Sequence, residues 1–185
     1  MMILEALKNY VPFNEQEQMD KDVMVEFAEN NEDAFLRANL RSHFTASSWI
    51  VNKERTKVLL IYHNIYDSWA WTGGHADGDR DLLAVALREA KEETSAENIH
   101  PLSEDIFSLE IITVDGHVKR GKYVPSHIHM NVTYLLEADE NDILKIKEDE
   151  NSGVGWFDMK DIASVSNEKW MVEKIYTKLQ EKLQL

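Results

Sequence analysis

Apolar positions follow one rhythm up to about residue 42 and another beyond it. In the first stretch Met19, Val23 and Phe27 recur every four residues. Asn14 and Glu17 stand ahead of them at capping-box spacing, so a helix is expected there. A shorter helical patch is expected over Ala34 to Leu40. From Phe44 the texture turns aromatic and β-branched. Phe44 to Val51 and Lys57 to Tyr62 are apolar runs separated by Asn52 to Arg55, which reads as a hairpin. Phe107 to Val114, Met130 to Leu136 and the short Val154 to Phe157 are further strand candidates. Asp81 to Thr94 reads as a helix, capped by Asp79 or Asp81, with Leu83, Ala86, Leu87 and Ala90 as the stripe facing a sheet. Asn167 opens a last helix whose Val172, Tyr176, Leu179 and Leu183 share one face. Strands and helices in this order predict an α+β or layered α/β domain over residues 43–185, preceded by a helical extension over residues 1–42.

Composition narrows the partners. The 185 residues hold 20 basic and 34 acidic side chains, a formal charge of −14. Nucleic acid and anionic membrane would both be repelled, so neither is an expected partner. A chain this acidic that handles phosphates needs a cation to mediate. There are no cysteines, which excludes disulfides, thiolate metal sites and cysteine nucleophiles. The first residues lack a basic leader region and no run approaches ~18 apolar residues. A cytoplasmic location is expected.

The chemistry concentrates between Trp71 and Thr94. Gly73, Gly74 and Gly78 are three of only seven glycines and precede the central helix, implying a tight loop or a close approach. On that helix Glu89, Glu92 and Glu93 fall within about a 100° sector. Their mutual repulsion is offset in part by Arg88 and Lys91. Such oxygen donors suit Mg2+ or Mn2+, which would bridge the acidic chain to a diphosphate and activate water. A solvated acidic face is the plainer reading of the carboxylates taken alone, and the glycine loop upstream argues against it.

The segment from Gly74 to Ala96 resembles the Nudix box. Gly74, Arg88, Glu89, Glu92 and Glu93 stand in the register of that pattern, and Trp71-Thr72-Gly73-Gly74-His75 looks like its usual entry. Four positions depart: Arg80 replaces a Glu, Ala90 a bulky aliphatic, Ser95 a Gly, and Ala96 the final aliphatic. The resemblance implies an α/β/α sandwich with a mixed β-sheet. It further implies a metal-dependent hydrolase cleaving the diphosphate linkage of a small nucleoside diphosphate derivative. Glu89, Glu92 and Glu93 would hold the metal, Arg88 would orient Glu89, and Gly73, Gly74, His75 and Trp71 would meet substrate. The general base would be Glu93 or, from the acidic run Glu148-Asp149-Glu150, Glu150. With Arg80 in the box, the alternative is a weakened or inactive nucleotide-binding module. A relative of isopentenyl-diphosphate isomerase shares the fold but commonly needs a cysteine. The extension could cap the pocket or form a homodimer contact.

Other signals have plainer readings. Asp77 to Asp81 superficially resembles the start of an EF-hand loop but lacks its later Gly and Glu. His127 and His129 share one side of a strand, without a third ligand near them in sequence. Tyr62, Trp69 and Trp71 could stack on a base or belong to the core. His117, Lys119, Arg120 and Lys122 form a basic patch that reads as an exposed hairpin tip.

Overall fold

The computed structural model describes residues 3–119 and 121–184. Helices α1 (Ile3–Asn9) and α2 (Glu15–Asn30) come first. The Asn14 side chain caps α2 by accepting the Glu17 N–H at 2.9 Å, while the Glu17 carboxylate accepts from Phe13 N–H instead of returning to Asn14. The face of α2 that turns inward is not the one the four-residue period predicts. Met19 and Val23 are 58% and 40% exposed, whereas Glu17 and Met24 are fully buried; Phe27 does pack on the core. Periodicity ranks residues by apolarity and cannot foresee a glutamate that has cations waiting for it. The helix expected over Ala34 to Leu40 is instead a chain of turns, with Leu36 N–H on Asp33 O and Asn39 N–H on Leu36 O, both 2.9 Å.

The remaining strands are β1 (Ser42–Val51), β2 (Lys57–His63), β3 (Ser68–Ala70), β4 (Thr72–His75), β5 (Ile99–Pro101), β6 (Ser108–Val114), β7 (His117–Lys119), β8 (Lys122–Val124), β9 (His127–Ala138) and β10 (Asn151–Asp158), with helix α3 (Leu82–Thr94) between β4 and β5. The main sheet is mixed and runs β10-β2-β1-β9-β5, with β3 on β2, β4 on β1 and β6 on β9. β1 lies parallel to β9 from Ser42↔Ile128 to Val51↔Glu137. It meets β2 only at Val51↔Val58, after which β4 takes its place beside β1 over Thr45 to Ser48. That split puts the glycine-bearing β4 into the sheet beside β1, where α3 packs on both strands.

Alternation along the strands sends the two faces to different layers. Phe44, Ala46 and Ile50 of β1, with Met130 and Val132 of β9, pack under α1, α2 and α3. Trp49, Val51, Val58 and Leu60 pack on the other face against the C-terminal helices. Those are α4 (Ile162–Val165), α5 (Lys169–Met171) and α6 (Thr177–Leu183), the last two joined by a π-helical turn over Val172–Tyr176. The expected face of Val172, Tyr176, Leu179 and Leu183 packs on this core, and across the π turn Met171, Ile175 and Lys178 are buried as well. The result is an α/β/α sandwich. Among the described residues no helix is long and apolar enough to cross a membrane.

A charged array ties the chain ends to the sheet. Lys178 lies 3.1 Å from both Glu17 and Glu110, and Lys182 lies 2.9 Å from Glu17. Ser108 donates to Glu17 at 2.7 Å, and Glu110 accepts from Asn131 and Thr133. The outer side of β6 is covered as well: Asp20 accepts the Ile111 N–H at 3.2 Å, and Lys178 donates to Leu109 O at 3.0 Å.

Candidate active site

The carboxylate site is built where β4 passes α3. Gly73 and Gly74 are strand residues, paired with Ser47 and Ala46 of β1, so of the two readings the close approach holds for them and the tight loop does not. Their missing side chains are needed for room. A Cβ on Gly74 would fall 2.5 Å from Glu89 Cδ, and one on Gly73 would fall 2.5 Å from Ser47 Oγ. The turn itself comes next, at Asp77 (φ 50) and Gly78 (φ 92), with Asp77 clamped by Arg37 through two hydrogen bonds. Asp81 then caps α3, accepting the Ala84 N–H at 3.0 Å. Leu82, Val85, Ala86 and Ala90 form its fully buried line, with Leu83 and Leu87 half-buried beside it. The expected stripe of Leu83, Ala86, Leu87 and Ala90 thus packs on the core, and the buried face widens to Leu82, Val85, Glu93 and Thr94. Ser95 ends the helix in the left-handed region at φ 58.

Glu93 is only 3% exposed and accepts the Gly73 N–H at 3.0 Å. Burial pushes its carboxyl up to about 8, against the pull of the Gly73 amide and with help from Glu89 and Glu150. Burial and the neighbouring Glu92 raise Glu89 too. Arg88 lies 3.6 Å from Glu89 and 3.8 Å from Asp79. Lys147 enters from the 139–150 loop and places its ammonium 2.9 Å from both Glu92 and Glu150. Burial works against the Lys147 charge, but those two carboxylates more than restore it. The loop is anchored to the end of α3, since Asn151 donates to Glu93 O at 3.0 Å and Lys145 N–H donates to Thr94 O at 2.9 Å.

Glu89, Glu92, Glu93 and Glu150 are thus gathered at one end of α3. An oxygen-only set with two carboxyls made costly by burial and mutual repulsion suits a hard divalent cation. Arg80 stacks its guanidinium 5.0 Å from the Phe35 ring centroid. Arg88 reaches Glu89, and Glu92 and Glu150 are met by Lys147, a residue the motif does not include. Its only trace in the sequence is the Lys147/Glu150 spacing.

The other candidates lie elsewhere. Trp71 packs edge-on against Tyr176, with ring centroids 5.7 Å apart, and Trp69 sits between Tyr62 and Phe157. His117, Lys119 and Lys122 belong to the β7–β8 hairpin, and Arg120 lies outside the described residues. His127 and His129 do have further potential ligands close by. His75 and His43 join them, with one ring nitrogen from each of the four within 4.8 Å of the others. Separation along the chain hid the group, and His43 gave no signal of its own.

Comparison with known proteins places these features. The NUDIX domain model matches residues 41–179. Among solved structures, an Ap4A hydrolase from C. elegans in a binary complex is 20% identical, covers 76% of this chain and 94% of its own, and superposes with a TM-score of 0.55. A NUDIX-family hydrolase from Clostridium perfringens is 24% identical over 77% and 96% of the two chains, with a TM-score of 0.53. A MutT protein from Methanosarcina mazei Go1 is 14% identical over 78% and 97%, with a TM-score of 0.54. At these identities the likeness is one of fold. No curated protein sequence matches the chain.

Proposed function

The chain belongs to the Nudix family of pyrophosphohydrolases, and from that premise we propose that it cleaves the diphosphate linkage of a small nucleoside diphosphate derivative. Water attacks phosphorus in this reading, with Mg2+ or Mn2+ held by Glu89, Glu92 and Glu93. The observation that carries it is the fit of β4 against α3: Gly74 has no room for a side chain beside Glu89, and the Gly73 amide holds the buried Glu93.

When bound, the cation supplies Lewis-acid activation of water and neutralises charge on the diphosphate. The protein's own groups do the rest. Arg88 steadies Glu89 and Gly73 fixes the Glu93 carboxylate. Glu93 or Glu150 takes the proton from the attacking water. His75 follows Gly74 on β4, whereas Trp71 precedes that strand and packs on Tyr176; a bound diphosphate would pass along Gly73 and Gly74. A panel including Ap4A, nucleoside triphosphates and sugar nucleotides, assayed with Mg2+ and Mn2+, tests the reading. Metal-dependent release of phosphorylated products that is lost in Glu93→Gln supports it. Full turnover in that variant refutes it. Loss on Glu150→Gln of kcat with metal affinity retained would assign the base to Glu150.

One observation favours a second reading, a nucleotide-binding module with little or no turnover. Lys147 already neutralises Glu92 and Glu150, so a protein cation competes for the carboxylates. Lys147→Met separates the two. Tighter Mn2+ binding together with faster hydrolysis identifies a hydrolase restrained by its own lysine, and tighter binding with nucleotide bound but not cleaved identifies the module.

A further inference from the structure

Three adjacent strands bring four imidazoles to one spot away from the carboxylates. His43 lies near the start of β1, His75 ends β4, and His127 and His129 open β9. The pairings His43↔His129 and Thr45↔His75 put all four on one side of the sheet. The other side of β1 faces α3, where Ser48 donates to Ala86 O.

The geometry is close to that of a coordination shell. One nitrogen from each ring lies within 4.8 Å of the others. A tetrahedral zinc site with bonds of ~2.0–2.1 Å needs nitrogens about 3.3–3.4 Å apart. Nε2 of His127 and Nε2 of His129 are 3.0 Å apart, and shifts of roughly an ångström would bring the other two rings in.

The hydrogen bonds already aim the right atoms. His43 Nδ1 is 2.9 Å from Asn39 O, and His127 Nδ1 is 2.9 Å from Pro125 O. A carbonyl oxygen only accepts, so both Nδ1 atoms carry the proton and the Nε2 of each neutral ring is left with its lone pair. In the hydrogen bond between His127 Nε2 and His129 Nε2 one nitrogen donates, and that proton leaves when a cation binds. Backbone carbonyls hold metal-binding histidines in this way. His43 is 3% exposed, and its Nε2 is buried with no hydrogen-bond partner among the described residues. A buried polar atom left so calls for an explanation, and a cation drawn to its lone pair supplies one.

We propose that His43, His75, His127 and His129 form a nitrogen-only site for a zinc-class divalent cation, separate from the carboxylate site. Imidazole donors suit zinc, nickel or copper, whereas carboxylates suit magnesium or manganese, so the two sites select different metals. Occupancy would tie β4, β1 and β9 together at one end and brace the strand that carries Gly73 and Gly74. The proposal stands whether or not the chain hydrolyses nucleotides.

The test uses the full chain without a histidine tag, loaded with Zn2+ in the presence of excess Mg2+ and dialysed before metal analysis. Wild type and Glu89→Gln should each retain a single zinc ion per chain, and the His43→Gln/His129→Gln double variant should retain none. Failure of wild type to hold zinc stoichiometrically overturns the site, as does zinc retained by the double histidine variant or lost from Glu89→Gln. A second measurement needs no variant. Co2+-loaded wild type should show the intense visible absorption of four-coordinate cobalt, and only the weak bands of six-coordinate cobalt would overturn the proposal.

Discussion

Replacing Glu17 by Gln removes one charge from the interior while keeping the side chain's shape. Glu17 is fully buried, and burial alone would raise its carboxyl above the ordinary value. Lys178, the Tyr10 hydroxyl, the Phe13 amide and Lys182 outweigh that and hold it down to about 2, from an ordinary 4.5. At ~1.36 kcal/mol per pH unit, that gap amounts to roughly 3 kcal/mol of folding stability. Loss of one partner from a buried ion pair costs about 3–5 kcal/mol by an independent route, so the two expectations agree. Because the folded-state pKa is depressed, the contribution is complete above 4.5 and disappears as pH falls through about 2. Urea unfolding should therefore find the variant roughly 3 kcal/mol less stable at pH 7 and only about 1.4 kcal/mol less stable at pH 3. A difference below about 1 kcal/mol at neutral pH, the level of an exposed pair, would refute the reasoning. So would a gap that stays constant between the two pH values.

Gly74→Ala should cost about 1–3 kcal/mol by overpacking against Glu89 and should lower metal-dependent turnover; thermal melts and kinetics with Mn2+ check both, and a wild-type profile contradicts the tight approach. Ser95→Gly should relieve the left-handed backbone at φ 58 and raise stability by roughly 0.5–1 kcal/mol, read as a Tm increase of about 1–4 °C. Arg80→Ala should leave Mn2+ affinity at the carboxylate site within about twofold, because the guanidinium stacks on Phe35, an exposed contact of about 0.5–1 kcal/mol; a tenfold change by titration would place Arg80 in the metal site after all.

The sequence made some elements legible and hid others for reasons that can be named. β1, β2 and α3 declare themselves because apolar alternation and an Asp81 cap are local properties, and each side chain's role is fixed by neighbours a few residues away. The rotation of α2 depends on Glu17 finding lysines on α6, and the added burial of Ile175 and Lys178 beside the expected face of the last helix goes with a π turn at Val172–Tyr176. Neither is encoded in the periodicity of the segment concerned. The carboxylates of α3 were readable as a group because a helix repeats them on one side. Lys147 and the histidine quartet were not, because a loop in the one case and strands in the other, far apart in sequence, bring those side chains together.

The fastening along β6 has a consequence for how the protein ages or misassembles. Asp20 and Lys178 occupy main-chain groups that a foreign strand would otherwise seek, and both come from segments near the two termini. Should fraying peel those segments back, the bared ribbon would become a template for sheet growth between molecules. Trimming either end would then be felt first as self-association, before any loss of chemistry.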